Sequence, residues 1–225
     1  MIRKFLLAMA AFGAALAASA CSYGSAVDVA PYKARISKPV IAAGDYCEVQ
    51  GTAKPFTVVS NEDCVPITWN QQARAYTMVD PEDPKESVTA NVVSMGSGLY
   101  LTQMAVETDK PDRYQILVFI AKGDAFAMLS ALDDEPLQKL TEKHRKLTFA
   151  KDRTGRSYVS AGKPDHIKAF LKDAAKETLR QMKAEDEPVS VGVLDKAGAP
   201  IHEASKQQAK DIEAVIKAAK NLTPK

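Results

Sequence analysis

Between Asp45 and Leu132 the chain is cut into short β-prone runs by turn residues, and after Asp133 that pattern stops. This change of period constrains the fold more than any other feature. Tyr46-Cys47-Glu48-Val49 alternates, and a second run spans 56–59 after Gly51 and Pro55. Val65, Ile67 and Trp69 alternate with Pro66 and Thr68, which predicts one shared strand face. Further runs cover 73–79, 87–94, 99–106, 114–121 and 125–132. Breaks fall at Asn70-Gln71-Gln72, in the acidic stretch from Asp80 to Glu86, at Gly96-Ser97-Gly98, at Asp109-Lys110-Pro111-Asp112 and at Lys122-Gly123-Asp124. The run 116–120 is apolar at every position, so it predicts a central strand covered on both faces. Six to eight short antiparallel strands with tight turns predict a meander that closes into a sandwich or a small barrel.

Past 133 the spacing becomes helical. A short helix is expected over 135–145, with strands near 147–149 and 157–159. Pro164 sits near the first turn of a longer helix, where proline is tolerated. Ile167, Phe170, Leu171, Ala174, Leu179 and Met182 make its apolar stripe. Val189, Val191 and Val193 alternate as a strand does, and Ala197-Gly198-Ala199-Pro200 makes a turn. A last helix spans about 203–221, with Ile212, Val215, Ile216, Ala219 and Leu222 on one side. The expected class is α+β: a β-rich body over 45–160, followed by C-terminal amphipathic helices over 161–225 that pack on it.

The first 21 residues are of a different kind. Arg3 and Lys4 precede an apolar, Ala-rich run ending in Ala18-Ser19-Ala20-Cys21. A basic start, a short apolar stretch and small residues before a break are the marks of a secretory signal over 1–20, too short for a membrane span. Ala18-Ser19-Ala20-Cys21 resembles the lipobox of bacterial lipoproteins, with Ala18 where that family usually has Leu. The same residues also read as an A-x-A site of ordinary signal cleavage. Cysteine count bears on the choice: Cys21, Cys47 and Cys64 are an odd number in an exported chain, and lipidation of Cys21 leaves an even pair. The resemblance implies acyl chains on Cys21 and anchoring in the membrane. With Ser22 rather than Asp next, it also implies an outer-membrane lipoprotein facing the periplasm; otherwise the protein is soluble in the periplasm or secreted. Residues 21–44, with small residues, prolines and no steady period, read as a tether from the lipid to the body.

Charge is uneven along the chain. The formal net charge is +2, and without Arg3 and Lys4 it is zero, which argues against a nucleic-acid partner. Residues 22–135 hold 9 Lys/Arg against 16 Asp/Glu, net −7; residues 136–225 hold 19 against 12, net +7. Lys139, Lys143, Arg145, Lys146, Lys151, Arg153 and Arg156 cluster, and Lys168, Lys172, Lys176 and Arg180 follow at i, i+4 along the longer helix. With Asp173 and Glu177 between them, an ordinary solvated helix face explains this ridge. The competing reading is contact with anionic lipid, lipopolysaccharide or an acidic envelope protein.

No catalytic or metal-binding motif emerges. Export makes a structural Cys47–Cys64 disulfide the leading reading, since no C-x-x-C or zinc spacing is present. His144, His166 and His202 lie far apart beside charged residues and read as surface histidines. Ser97 sits in a hairpin turn rather than a G-x-S-x-G elbow. Ala161-Gly162-Lys163-Pro164 fails as a phosphate loop, and the acidic loop over 80–86 lacks an EF-hand spacing. Trp69, Tyr76, Tyr100, Tyr114, Phe119 and Phe126 read as core, or else as the lining of an apolar cavity. The expectation is therefore a lipid-anchored envelope protein without cofactor, with a non-catalytic binding or structural role. The alternatives are a lipocalin-like carrier of a small apolar ligand, or an envelope hydrolase whose site only the fold assembles.

Overall fold

The computed structural model describes residues 23–51, 53–60, 64–79, 87–105, 114–129, 131–132, 134–151, 157–184 and 189–222. The signal, Cys21, the acidic loop over 80–86, Arg153 and Arg156 lie outside them. In order, the elements are β1 (Tyr23–Ser25), β2 (Gly44–Gln50), β3 (Thr57–Val59), β4 (Val65–Asn70), β5 (Ala75–Val79), β6 (Ser87–Gly96), β7 (Leu99–Ala105), β8 (Tyr114–Lys122) and β9 (Ala125–Leu129). There follow α1 (Asp134–Lys143), β10 (Thr148–Lys151), β11 (Ser157–Ala161), α2 (Pro164–Ala184), β12 (Val191–Leu194), β13 (Ile201–Glu203) and α3 (Lys206–Leu222).

β4 to β9 form an antiparallel meander, each strand paired with the next. β2 pairs with β4, and β12 lies antiparallel between β2 and β9. The ring β8-β7-β6-β5-β4-β2-β12-β9 thus closes on itself as an eight-stranded antiparallel barrel. Of the two expected closures, sandwich or barrel, the chain takes the barrel. The sheet forks twice from it. β8 gives residues 114–116 to β1 and 118–122 to β9, and β1 continues in parallel to β11 and then to β10. β2 gives 44–46 to β4 and 48–50 to β3, which carries β13.

The period-2 alternation decides which residues fill the barrel. Tyr46, Ile67, Tyr76, Val92, Met104, Phe119, Phe126 and Leu194, one from each barrel strand, belong to a single buried cluster inside it. Their neighbours Cys47, Leu101, Val118, Ala127 and Val193 face outward into a second cluster, under the helices. Both inner and outer residues of 116–120 are therefore buried, which explains why that run is apolar throughout. α3 lies on the outer wall of β8, β9 and β12, with Ile212, Val215 and Ala219 buried; α2 packs against α1, α3 and β9. α2 buries Ile167, Phe170, Leu171, Ala174, Ala175, Thr178 and Leu179. Each large apolar side chain so buried contributes about 1.5–3 kcal/mol.

Two boundaries drawn from the sequence need correction. Residues 23–43 are not a free tether. β1 is paired on both edges, Val29 and Ala30 are wholly buried, and Gln103 Oε1 accepts the N–H groups of both, at 2.7 and 3.2 Å. Gln103, 1% exposed, in turn donates to Asp28 Oδ1 at 2.8 Å, so a buried polar side chain on β7 is satisfied by this segment. The line at 160/161 does not separate strands from helices either, because β12 is a barrel strand.

Candidate functional site in the barrel interior

A cavity of about 50 Å³ lies inside the barrel. Its wall is built by inward-facing residues of β4 to β9, among them Val65, Tyr76, Met78, Thr102, Phe119 and Met128. No charged side chain lines it, and the polar atoms of the lining side chains are the Thr102 and Tyr76 hydroxyls. Phe126 packs at 5.3 Å on Tyr46 and at 6.4 Å on Phe119, which stacks at 5.3 Å on Tyr100. An eight-stranded barrel is just wide enough for side chains to fill or for one small guest.

One end of the barrel, where β4 ends and β5 begins, is crossed by residues 36–43 before the chain enters β2 at Gly44. The Tyr76 hydroxyl holds this segment. It accepts Val40 N–H at 2.7 Å and Ile41 N–H at 3.1 Å, and donates to Ile41 O at 3.1 Å. Its single donor and both lone pairs are thereby occupied. The Tyr46 hydroxyl donates to Ala42 O at 3.1 Å. Burial pushes both phenols above their ordinary range; for Tyr46 the Asp124 carboxylate and Tyr76 add to it, and for Tyr76 the bonds to Ile41 and Val40 pull back only in part. Both remain neutral donors at physiological pH. Ile41, 7% exposed, is part of the cavity wall at this end.

Cys47 and Cys64 are bonded, with Cα atoms 4.4 Å apart, and tie β2 to the residue before β4. The aromatic positions divide: Tyr76, Phe119 and Phe126 line the cavity, while Trp69 and Tyr100 pack partly buried against the same cluster. Tyr114, at the start of β8, is half-buried. Along α2, Lys168 lies 3.9 Å from Asp165, Lys176 3.4 Å from Asp173, and Arg180 makes two hydrogen bonds to Glu177. Lys172 is half-buried. Ser97, with φ 58°, and Gly98, with φ 78°, form the positive-φ pair of a two-residue hairpin between β6 and β7.

The histidines are not all at the surface, which corrects the sequence expectation. His144 stands edge-on to Phe170 at 5.5 Å, with Nε2 3.3 Å from Asp173, and its side chain is 16% exposed. His202 is equally packed: Nδ1 lies 3.1 Å from Ala199 O and Nε2 3.5 Å from Asp195 Oδ1. Asp195 also accepts the Ser60 hydroxyl at 2.9 Å and the N–H groups of Ala197 and Gly198. A serine, a carboxylate and a histidine thus meet, in an order unsuited to nucleophilic catalysis. The Ser60 proton points to the carboxylate rather than to the imidazole, so His202 cannot take it as a triad base does. Asp195 instead organises the turn from β12 to β13. Burial alone would raise its carboxyl, yet the bonds from Ala197, Ser60 and Gly198, with the His202 charge, bring it below the usual carboxylate range.

The Tyr76 bonds to Val40 and Ile41 and the Asp195 turn escape sequence reasoning, because partners far apart in the chain make them. Among the described residues no group of His, Cys, Asp and Glu is placed to hold a metal ion, and no helix is long and apolar enough to cross a membrane. No protein-family model, curated protein or solved structure matches this chain.

Proposed function

We propose that this is a non-catalytic binding protein of the cell envelope. Its barrel takes up a compact, uncharged, apolar molecule, and a lipid on Cys21 holds it on the outer membrane, facing the periplasm. The observation that carries the binding reading is the closed barrel with an uncharged interior around a cavity of about 50 Å³. A charged ligand would lose its hydration there with no counter-charge to meet, whereas an apolar guest matches the lining. Thr102 supplies one hydrogen-bonding position. Met78 and Met128 adjust to irregular shapes more readily than branched side chains. An apolar cavity of about 150 Å³ accepts benzene or xenon, so the closed barrel suits the smallest guests and a larger one needs the wall to move.

Support for the anchor comes from cysteine usage. The bridge between Cys47 and Cys64 occupies two of the three cysteines, and the third stands in Ala18-Ser19-Ala20-Cys21. Contacts beyond the anchor, with anionic lipid, lipopolysaccharide or an envelope protein, fall to the α2 ridge.

The carrier reading is tested with xenon and ¹²⁹Xe NMR. A saturable shift is expected for the wild type, and its loss in Ala90→Leu, which extends a side chain into the cavity. A wild type with no saturable shift, or a variant that keeps it, removes the carrier. The anchor is tested by intact mass of the membrane-extracted protein: acyl chains on Cys21, and a soluble Cys21→Ser chain, are expected. An unmodified soluble wild type beginning at Cys21 removes the anchor.

A further inference from the structure

We propose that residues 36–43 are the gate of the barrel and the Tyr76 hydroxyl is its latch, so that an apolar guest enters at this end when the segment lifts. The proposal rests on the carrier reading and adds a route to it. The N-terminal segment changes character at Arg35. Before it the chain is fixed: β1 is paired on both edges, Val29 and Ala30 hang on Gln103, and Arg35 Nε and Nη1 donate to Ala30 O and Ala73 O at 3.0 Å each. After it, residues 37–43 join no strand ladder. Ile36 N–H reaches Val92 O at 3.0 Å, and Gln71 Nε2 reaches Ser37 O at 3.1 Å. Otherwise the hydrogen bonds described for the segment come from Tyr76 and Tyr46.

Burial follows the same division. Ile41 is the buried residue of 36–43, Ile36 and Val40 are half-buried, and Ser37, Lys38, Pro39, Ala42 and Ala43 are exposed. Ile41 is also part of the cavity wall, so lifting it widens the cavity by the space of its side chain. That supplies room a cavity of about 50 Å³ lacks. The segment ends at Gly44, whose φ of +144° is a conformation that other residues rarely adopt. A Cβ at Gly44 would stand 2.4 Å from Leu194 Cδ1. A permanent plug would be expected to carry ladder bonds or several buried side chains. Beyond Ser37 the described hydrogen bonds on this segment come from the Tyr76 and Tyr46 hydroxyls, with Ile36, Val40 and Ile41 packed on the interior cluster, and none of these hydroxyl bonds belongs to the sheet.

Stopped-flow fluorescence with N-phenyl-1-naphthylamine tests the gate, alongside hydrogen exchange of the Val40 and Ile41 amides. Tyr76→Phe keeps the ring and removes the latch with its three hydrogen bonds, so the association rate should rise by at least about fivefold, the worth of one hydrogen bond, and both amides should exchange faster. Gln71→Ala lies outside the cavity on an exposed turn and removes the bond to Ser37 O while leaving the Tyr76 hydroxyl in place. In it, association and dissociation should quicken together with Kd unchanged, the signature of easier opening rather than better binding. Faster exchange in either variant with unaltered probe rates means that guests enter elsewhere, and the gate is overturned while xenon binding still supports the carrier. Failure of both xenon and the naphthylamine to bind any variant removes the carrier and the gate together.

Discussion

The Tyr23 hydroxyl accepts the backbone N–H of Leu132 at 3.0 Å, joining β1 to the approach to α1 across 109 residues of sequence. The Thr178 hydroxyl of α2 also bonds it, and the Tyr23 ring stands edge-on to Phe170 at 6.0 Å. One side chain thus fastens the N-terminus to α2 and to the outer wall of the barrel.

Tyr23 should govern alkaline stability. Burial first, against the bonds to Leu132 and Thr178, raises its phenol from 10.0 to about 12. The folded state therefore keeps a proton that the unfolded chain releases. This contribution is whole below pH 10 and is lost as pH rises through about 12, and a shift of this size corresponds to about 3 kcal/mol. Urea denaturation from pH 8 to pH 12 should show the wild type weakening above pH 10, with Tyr23→Phe less stable at pH 8 and flatter above pH 10. Parallel pH profiles for the two proteins would contradict this role.

Legibility in the sequence follows the range of the forces. The meander could be read because alternation is local: Val65, Ile67 and Trp69 announce a shared face, and all three join the interior cluster. Closure could not be read. β12 looks like any short valine alternation, and its place between β2 and β9 depends on partners about 65 and 145 positions away. The segment before β2 is not legible for the same reason. Its prolines and small residues mimic a tether, while the groups that fix it, Gln103 and Tyr76, lie on β7 and β5. The cavity-lining aromatics were visible as residues, but whether they fill a core or leave space depends on the barrel's width.

The Cys47–Cys64 bridge closes a separation of 17 residues around β3. On the chain-entropy account a loop of this size stabilises by about 3 kcal/mol. The Cys47→Ser, Cys64→Ser double variant should lose about that much in urea denaturation, and reductant should lower the wild type to the same level. A wild type unaffected by reduction, with both thiols shown free, would count against a structural role.

Asp195 should shape stability in acid. Its carboxyl is held below the usual range, so its contribution is present above the unfolded carboxylate pKa and is lost as pH falls through the lower folded value. Asp195→Asn should be less stable than wild type at pH 7, because acceptors for Ser60, Ala197 and Gly198 become one oxygen and a donor. The difference should shrink on acidification below about pH 4. A gap that stays constant down to pH 2 would show that charge has no part in it.

The orientation of α2 is open to a two-part substitution test. Phe170 and Leu171 are 1% and 0% exposed, and Phe170 is ringed by Tyr23, His144 and Phe149. Lys176 and Arg180 keep 41% and 62% of their side chains exposed, paired with acids one turn back, while Lys168 keeps 24%, beside a 94% exposed Asp165, and Lys172 is half-buried. Such exposed pairs add little to stability, so replacing Lys168, Lys172, Lys176 and Arg180 together by Gln should leave the denaturation midpoint nearly unmoved. Phe170→Asp with Leu171→Asp places two charges in the outer core and should abolish cooperative unfolding. The Gln variant also isolates the ridge. If the lipid-free wild type binds phosphatidylglycerol vesicles through it, binding should weaken as salt rises from 50 to 300 mM and vanish in that variant. Vesicle binding indifferent to both salt and substitution removes the ridge from membrane contact. Unfolding of the Gln variant would mean that these four side chains hold α2 down, a task the geometry assigns to Phe170 and Leu171.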